Sequence, residues 1–61
     1  MNSKEILKVL FKNGFVIKSQ NGSHQKLIKD ERTVIVPIHG KDEIPKGTLK
    51  SIEKQSGVKL H

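Results

Sequence analysis

The dipeptide Asn21-Gly22 lies between two runs suited to a pleated strand, and it constrains the fold more than any other feature of the sequence. The run from Phe15 to Gln20 reads Phe-Val-Ile-Lys-Ser-Gln, and residues 23–29 read Ser-His-Gln-Lys-Leu-Ile-Lys. β-Branched and aromatic side chains fit a half-buried pleated surface. Asn-Gly between two such runs predicts a hairpin, because both central residues of the favoured turn take positive φ. Asp30-Glu31 predicts a second turn, and Arg32 to Val36 a third strand, with Pro37 suited to a strand end.

Helical spacing brackets these strands. In residues 3–13, Ile6 and Leu10 fall one turn apart with Leu7 and Val9 beside them, while Lys4, Lys8 and Lys12 recur on the other side. Phe11 lies near the edge of that lysine stripe and is expected to be partly exposed. Asn2 or Ser3 can cap the start; Asn2 with Glu5 resembles a capping box. Asn13-Gly14 ends the helix, since glycine takes the left-handed cap without a Cβ penalty. A loop, residues 38–45, leads to Pro45, which suits the first turn of a second helix. That helix runs to about Ser56 and stops at Gly57. Its apolar stripe, Leu49 and Ile52, is narrow, and Lys46, Lys50 and Lys54 repeat opposite it. Val58 and Leu60 are placed to tuck back as a tail. The expected class is α+β: helix, three-stranded antiparallel sheet, helix, with both apolar stripes on one sheet face. This is the element order of a double-stranded RNA-binding domain, and order alone does not establish function. On the second strand His24, Lys26 and Ile28 share one face and Leu27 takes the other. Both faces therefore have apolar members, and the pattern leaves the core side open.

With 61 residues, the chain is read as one domain, 1–61. A domain this small buries only about 60% of the surface its unfolded chain exposes. No cysteine is available to staple the thin core, so thiolate chemistry and cysteine-based zinc sites are excluded. Chemistry belongs on an open surface or in a shallow groove. Twelve Lys and Arg, eleven of them Lys, stand against six Asp and Glu, for a net charge of +6. That excess points to a polyanionic partner. No apolar run approaches the roughly 20 residues of a membrane span, and no signal peptide is evident, so a cytoplasmic protein without membrane association is expected. Phe11 and Phe15 are the only aromatics, which suits phosphate and groove contacts better than base stacking on aromatic platforms.

Three histidines are candidates for proton transfer. His61 ends the chain and is expected to fray. His24 opens the second strand and His39 follows Pro37 in the loop. A histidine with an ordinary pKa of about 6.5 is a natural proton shuttle. RNA brings its own nucleophile, the 2′-hydroxyl, so one histidine and a few cations suffice to run cleavage on an open surface. The plainer reading of each is a polar residue on a sheet face or in a loop. His24 and His39 lie 15 residues apart with no Cys and no tight His/Asp cluster, so metal ligation is not expected. Lysine stripes likewise suit any solvated helix face, or phosphate contact without sequence reading.

Four features together resemble the HicA family of toxin–antitoxin toxins. They are the opening helix ending in Asn13-Gly14-Phe15, the triplet Gly22-Ser23-His24, the segment Val36-Pro37-Ile38-His39-Gly40, and Pro45-Lys46-Gly47-Thr48-Leu49 leading into Ile52. The resemblance spans about Ser3 to Val58. It implies a fold similar to the double-stranded RNA-binding domain and a ribosome-independent mRNA endonuclease, inhibited by a HicB-type antitoxin in a hetero-oligomeric complex. It makes His24 the catalytic residue and Gly22 and Ser23 motif residues, with Gly22 setting the turn and Ser23 contacting phosphate. His39 matches a second motif histidine, structural or substrate-positioning. Glu53 after Ile52 departs from the family, where a second apolar residue is common, and narrows the helix face.

On this reading His24 is the general base, Lys26 or water the leaving-group acid, and Lys46 and Lys50 grip phosphates beside the anion-favouring helix start. No cofactor is called for. The alternative is a non-catalytic RNA- or DNA-binding module of the same fold, which would not need His24. A third reading is a protein-binding subunit whose basic face docks an acidic partner.

Overall fold

The computed structural model describes residues 1–60, so the reading of His61 as a frayed end lies outside the described residues. Among them the order is α1 (Ser3–Lys12), β1 (Val16–Asn21), β2 (His24–Lys29), β3 (Arg32–Pro37) and α2 (Lys46–Ser56). This is the expected α+β arrangement, with an antiparallel sheet in the order β1-β2-β3.

Helix α1 starts where the capping pattern places it. The Asn2 side chain accepts from the Glu5 amide at 2.9 Å, and the Glu5 carboxylate accepts from the Asn2 amide at 2.9 Å. Two amides that the first turn would leave without partners are thereby satisfied. At the far end Asn13 is the C-cap, and Gly14 follows at φ 93°.

The first hairpin turns one residue later than expected. Asn21 pairs with His24, so the two-residue turn is Gly22-Ser23 and Asn21 closes β1. Gly22 has φ 61° and neither Asn21 nor Ser23 has positive φ. Glycine first in the turn is the type II′ pattern, which needs one left-handed residue where Asn-Gly at the centre of a type I′ turn needs two. The strand bounds move with it, from 15–20 to Val16–Asn21 and from 23–29 to His24–Lys29. Asp30-Glu31 is the second turn as read, between the paired Lys29 and Arg32.

Strand β1 contains a bulge. Ile17 pairs with Leu27 and Ser19 with Lys26, leaving Lys18 as the extra residue. A bulge resets the alternation, so Val16 and Ser19 lie on the same sheet face although they are three apart.

Ile6 and Leu10 of α1, Phe15, Leu27, Val34, Val36, Ile44, Ile52 of α2 and Leu60 form the core. Both helices therefore cover the Leu27 face, which settles the open question of the sheet sides. His24, Lys26 and Ile28, with Ile35 opposite Lys26, belong to the uncovered face. Phe11 is exposed on α1, as read.

Loop 38–45 is laid against the start of α1. The Ile44 amide donates to the Met1 carbonyl at 2.8 Å, Ser3 Oγ donates to the Gly40 carbonyl at 3.4 Å, and Ile44 is buried. Pro45 is the N-cap of α2 rather than a residue of its first turn, because its ψ of 149° is extended. Helix α2 runs antiparallel to β3: Arg32 at the start of β3 donates to the Gln55 carbonyl at 3.3 Å near the helix end. The Gln55 side chain also accepts from the Ile35 amide at 3.2 Å, and Pro37 has no amide to offer, so this sheet edge presents few free donors. The tail tucks in as expected, and Glu53 accounts for part of it: its carboxylate accepts from the Leu60 amide at 2.8 Å.

Gly57 ends α2 in the left-handed region at φ 73°, and a Cβ there would lie 2.9 Å from Arg32 Cζ. Gly57→Ala is expected to lower stability by about 1–2 kcal/mol, mostly from backbone strain. Urea unfolding should show the midpoint falling with an unchanged slope.

Candidate active site on the open sheet face

His24 is the first residue of β2 and is exposed on the face the helices leave uncovered. Alternation puts Lys26 on the same face, half-buried. Cross-strand pairing sets Asn21 beside His24 and Ser19 beside Lys26, with Ile35 on the other flank of Lys26. These five residues line one shallow depression of about 400 Å³. An imidazole, an ammonium, a hydroxyl and a carboxamide thus gather at an open, water-accessible surface. Such a set can exchange a proton and hold an anionic oxygen without enclosing the substrate.

Ser19 and Asn21 were not singled out in the sequence. The Asn-Gly preference puts Asn21 in the turn, whereas a turn at Gly22-Ser23 pairs it with His24. Counting back from that turn likewise sets Ser19 beside Lys26, and the bulge at Lys18 displaces only Ile17 and Val16 beyond it.

Gly22 and Ser23 form the turn at the rim of the depression. The Ser23 carbonyl accepts from the Ile38 amide at 2.6 Å, which holds the chain leaving β3 beside the turn. His39 is the next residue and is exposed, but it does not line the depression. Lys46 and Lys50 lie apart as well. They are exposed on α2, in the helical layer on the other side of the sheet, and with Leu49 and Glu53 line a separate groove of about 370 Å³. Because α2 runs antiparallel to β3, its start lies at the same end of the molecule as His24. The end is shared; the layer is not. Pro45 supplies no side-chain cap to the first turn of α2.

A wider hollow, about 790 Å³, is at the opposite end, where the β2–β3 turn meets the helix termini. Its cations are already engaged on helix-end carbonyls: Lys29 donates to Asn13 at 2.7 Å and Arg32 to Gln55. Cations there complement the negative ends of the helices, and the hollow reads as a product of that packing. Among the described residues no three His, Cys, Asp or Glu side chains gather as a metal-holding group, and no helix is long and apolar enough to cross a membrane.

A search of curated proteins returns no match. The family model described as the HicA toxin of bacterial toxin–antitoxin systems matches residues 3–58. That match covers both helices, all three strands and the depression around His24. The chain belongs to the HicA toxin family of bacterial toxin–antitoxin systems.

Proposed function

We propose that the protein is a ribosome-independent mRNA endonuclease, the toxin of a type II pair, acting in the cytoplasm. A HicB-type antitoxin restrains it by covering the active surface in a hetero-oligomeric complex. The observation that carries the reading is the position of His24, exposed on an uncovered sheet face beside Lys26, Ser19 and Asn21.

RNA seated there places a ribose 2′-hydroxyl against the imidazole. His24 takes the hydroxyl proton as the oxygen attacks the adjacent phosphorus. The bond from O2′ to phosphorus forms, the bond to the 5′-oxygen of the next nucleotide breaks, and the products are a 2′,3′-cyclic phosphate and a 5′-hydroxyl. The leaving oxygen takes a proton from Lys26 or from water. Developing charge on the phosphoryl oxygens meets Lys26 and the hydroxyl of Ser19, while Ser23 at the rim contacts an adjoining phosphate. General acid–base catalysis of this kind contributes about 10²–10⁴-fold.

Gly22 holds the turn, so that His24 begins β2 at the edge of the depression. His39 positions RNA at the same end, beside the turn. Lys46 and Lys50 lie across the sheet from the chemistry. They take phosphates of a strand that wraps the end of the molecule, next to the amides of the α2 N-terminus.

The test is RNA cleavage by antitoxin-free protein in the presence of a chelator, with analysis of the new ends. Cyclic phosphate and 5′-hydroxyl ends are expected. Intact RNA at every protein concentration would overturn the reading, and RNA binding without cleavage would leave a binding module in its place.

A further inference from the structure

We infer that the open sheet face beyond His24 is a base-binding surface for single-stranded RNA, with one extended nucleotide over each successive rung of side chains. The inference rests on the nuclease reading only for the seat of the scissile phosphate.

The uncovered face is graded along β2. At one end His24 pairs with Asn21. The next rung on the same face is Ser19, Lys26 and Ile35, and the one after it is Val16, Ile28 and Thr33. The face runs from polar and chemically competent, through a lysine flanked by an isoleucine, to almost wholly apolar. Same-face rungs are separated by about 7 Å, close to the reach of one unstacked nucleotide.

Val16 and Ile35 are 56% and 40% exposed. In a chain with a thin core, β-branched residues on the uncovered side do not contribute to packing under the helices. The bulge at Lys18 is what brings Val16 onto this face beside Ile28. Charge selects the occupant. The chain carries a net charge of +6, with Lys26 within the face and Lys18 exposed at the adjacent edge strand. Continuity with the depression selects it too. A strand whose scissile phosphate sits at His24 and whose flank follows β2 lays that flank over Lys26 and then over the apolar rung.

A paired strand cannot use this surface. Duplex bases are turned toward each other and stacked, whereas unpaired bases can splay onto a protein face. In-line attack by the 2′-oxygen also needs a conformational freedom that a regular helix denies. Aliphatic side chains offer every base the same apolar contact, so the surface selects for unpaired RNA and discriminates little among bases.

The experiment measures binding in a His24→Ala background, so that cleavage plays no part. The probes are a short oligouridine and a ribose-phosphate oligomer of the same length without bases. The oligouridine is expected to bind severalfold more tightly, from the apolar area its bases bury against aliphatic side chains. Val16→Ser with Ile35→Thr, both at exposed positions, should remove most of that margin and leave the abasic oligomer unaffected. Thr33→Tyr, which adds an aromatic platform to the last rung, should widen the margin severalfold, and this gain does not depend on the stability of the double variant. A margin unchanged in all variants overturns the inference and leaves these rungs to a protein partner. If the parent cleaves RNA while the margin is unchanged, the base-binding surface fails and the nuclease reading stands. If the parent does not cleave but the margin responds as described, the nuclease reading fails and the surface stands.

Discussion

His24→Ala is expected to abolish detectable RNA cleavage, with a rate loss of at least about 10²–10⁴-fold, while leaving the fold intact. The two halves of this result come from the same fact of position. On the uncovered face, His24 contributes nothing to the core. A substitution at such a site typically changes stability by less than about 0.5 kcal/mol. An alanine cannot take the 2′-proton, and no second histidine lines the depression. RNA binding should remain nearly intact, because the phosphate contacts fall to lysines. The measurement is single-turnover cleavage of a labelled RNA beside a thermal melt of both proteins. Equal cleavage by parent and variant would assign the base elsewhere or expose a contaminating nuclease. A variant that melts far below the parent would mean that His24 holds the fold.

Three residues further along the same strand the opposite result is expected. Leu27→Ala should unfold most of the protein at 37 °C. Leu27 is fully buried in the central strand, paired with Ile17 on one side and Val34 on the other. Truncating a buried leucine costs about 2–5 kcal/mol, and a domain of this size holds only about 3–5 kcal/mol in all. The cost therefore approaches the whole stability. Circular dichroism and urea unfolding would show it, and activity would vanish with the fold. Lys26→Ala, at the neighbouring position on the opposite face, should leave the melting curve nearly unchanged. A native-like melt for Leu27→Ala would mean that the core relaxes around the gap far better than its packing suggests.

Much of the architecture is legible in local chemistry. The Asn2–Glu5 capping box, the Gly14 and Gly57 helix stops and the Asp30-Glu31 turn each depend on residues within a few positions of one another. Their geometry is therefore dictated by short-range sterics and hydrogen bonds. The Ile6–Leu10 stripe and the Leu49–Ile52 stripe are legible for a related reason: helical periodicity carries its own direction. The first turn is legible only in part. Glycine at position 22 made a turn certain, but Asn21-Gly22 and Gly22-Ser23 both satisfy local preference. They differ in the pairing register they impose on two whole strands.

The candidate site depended more heavily on what the sequence leaves open. His24 and Lys26 share a face by alternation in any register. The one-residue shift of the turn brings Asn21 beside His24 and moves Ser19 from His24 to Lys26, while the Lys18 bulge acts only on Ile17 and Val16 beyond them. Glu53, which reads as a gap in the apolar stripe of α2, proves to hold the Leu60 amide. That contact closes seven residues apart through a chain reversal that periodicity does not describe.

By itself, then, the sequence determined the element order, the helix ends, the strand count and the face that His24 shares with Lys26, because each follows from backbone sterics and short-range spacing. Only the tertiary structure decided which side of the sheet that face would be. Leu27 and Ile28 are adjacent and equally apolar, so alternation along β2 is satisfied either way. The choice falls to the two helices, whose stripes can be buried against only one side. They take the side of Leu27, Val34 and Val36, and His24 is left facing the solvent.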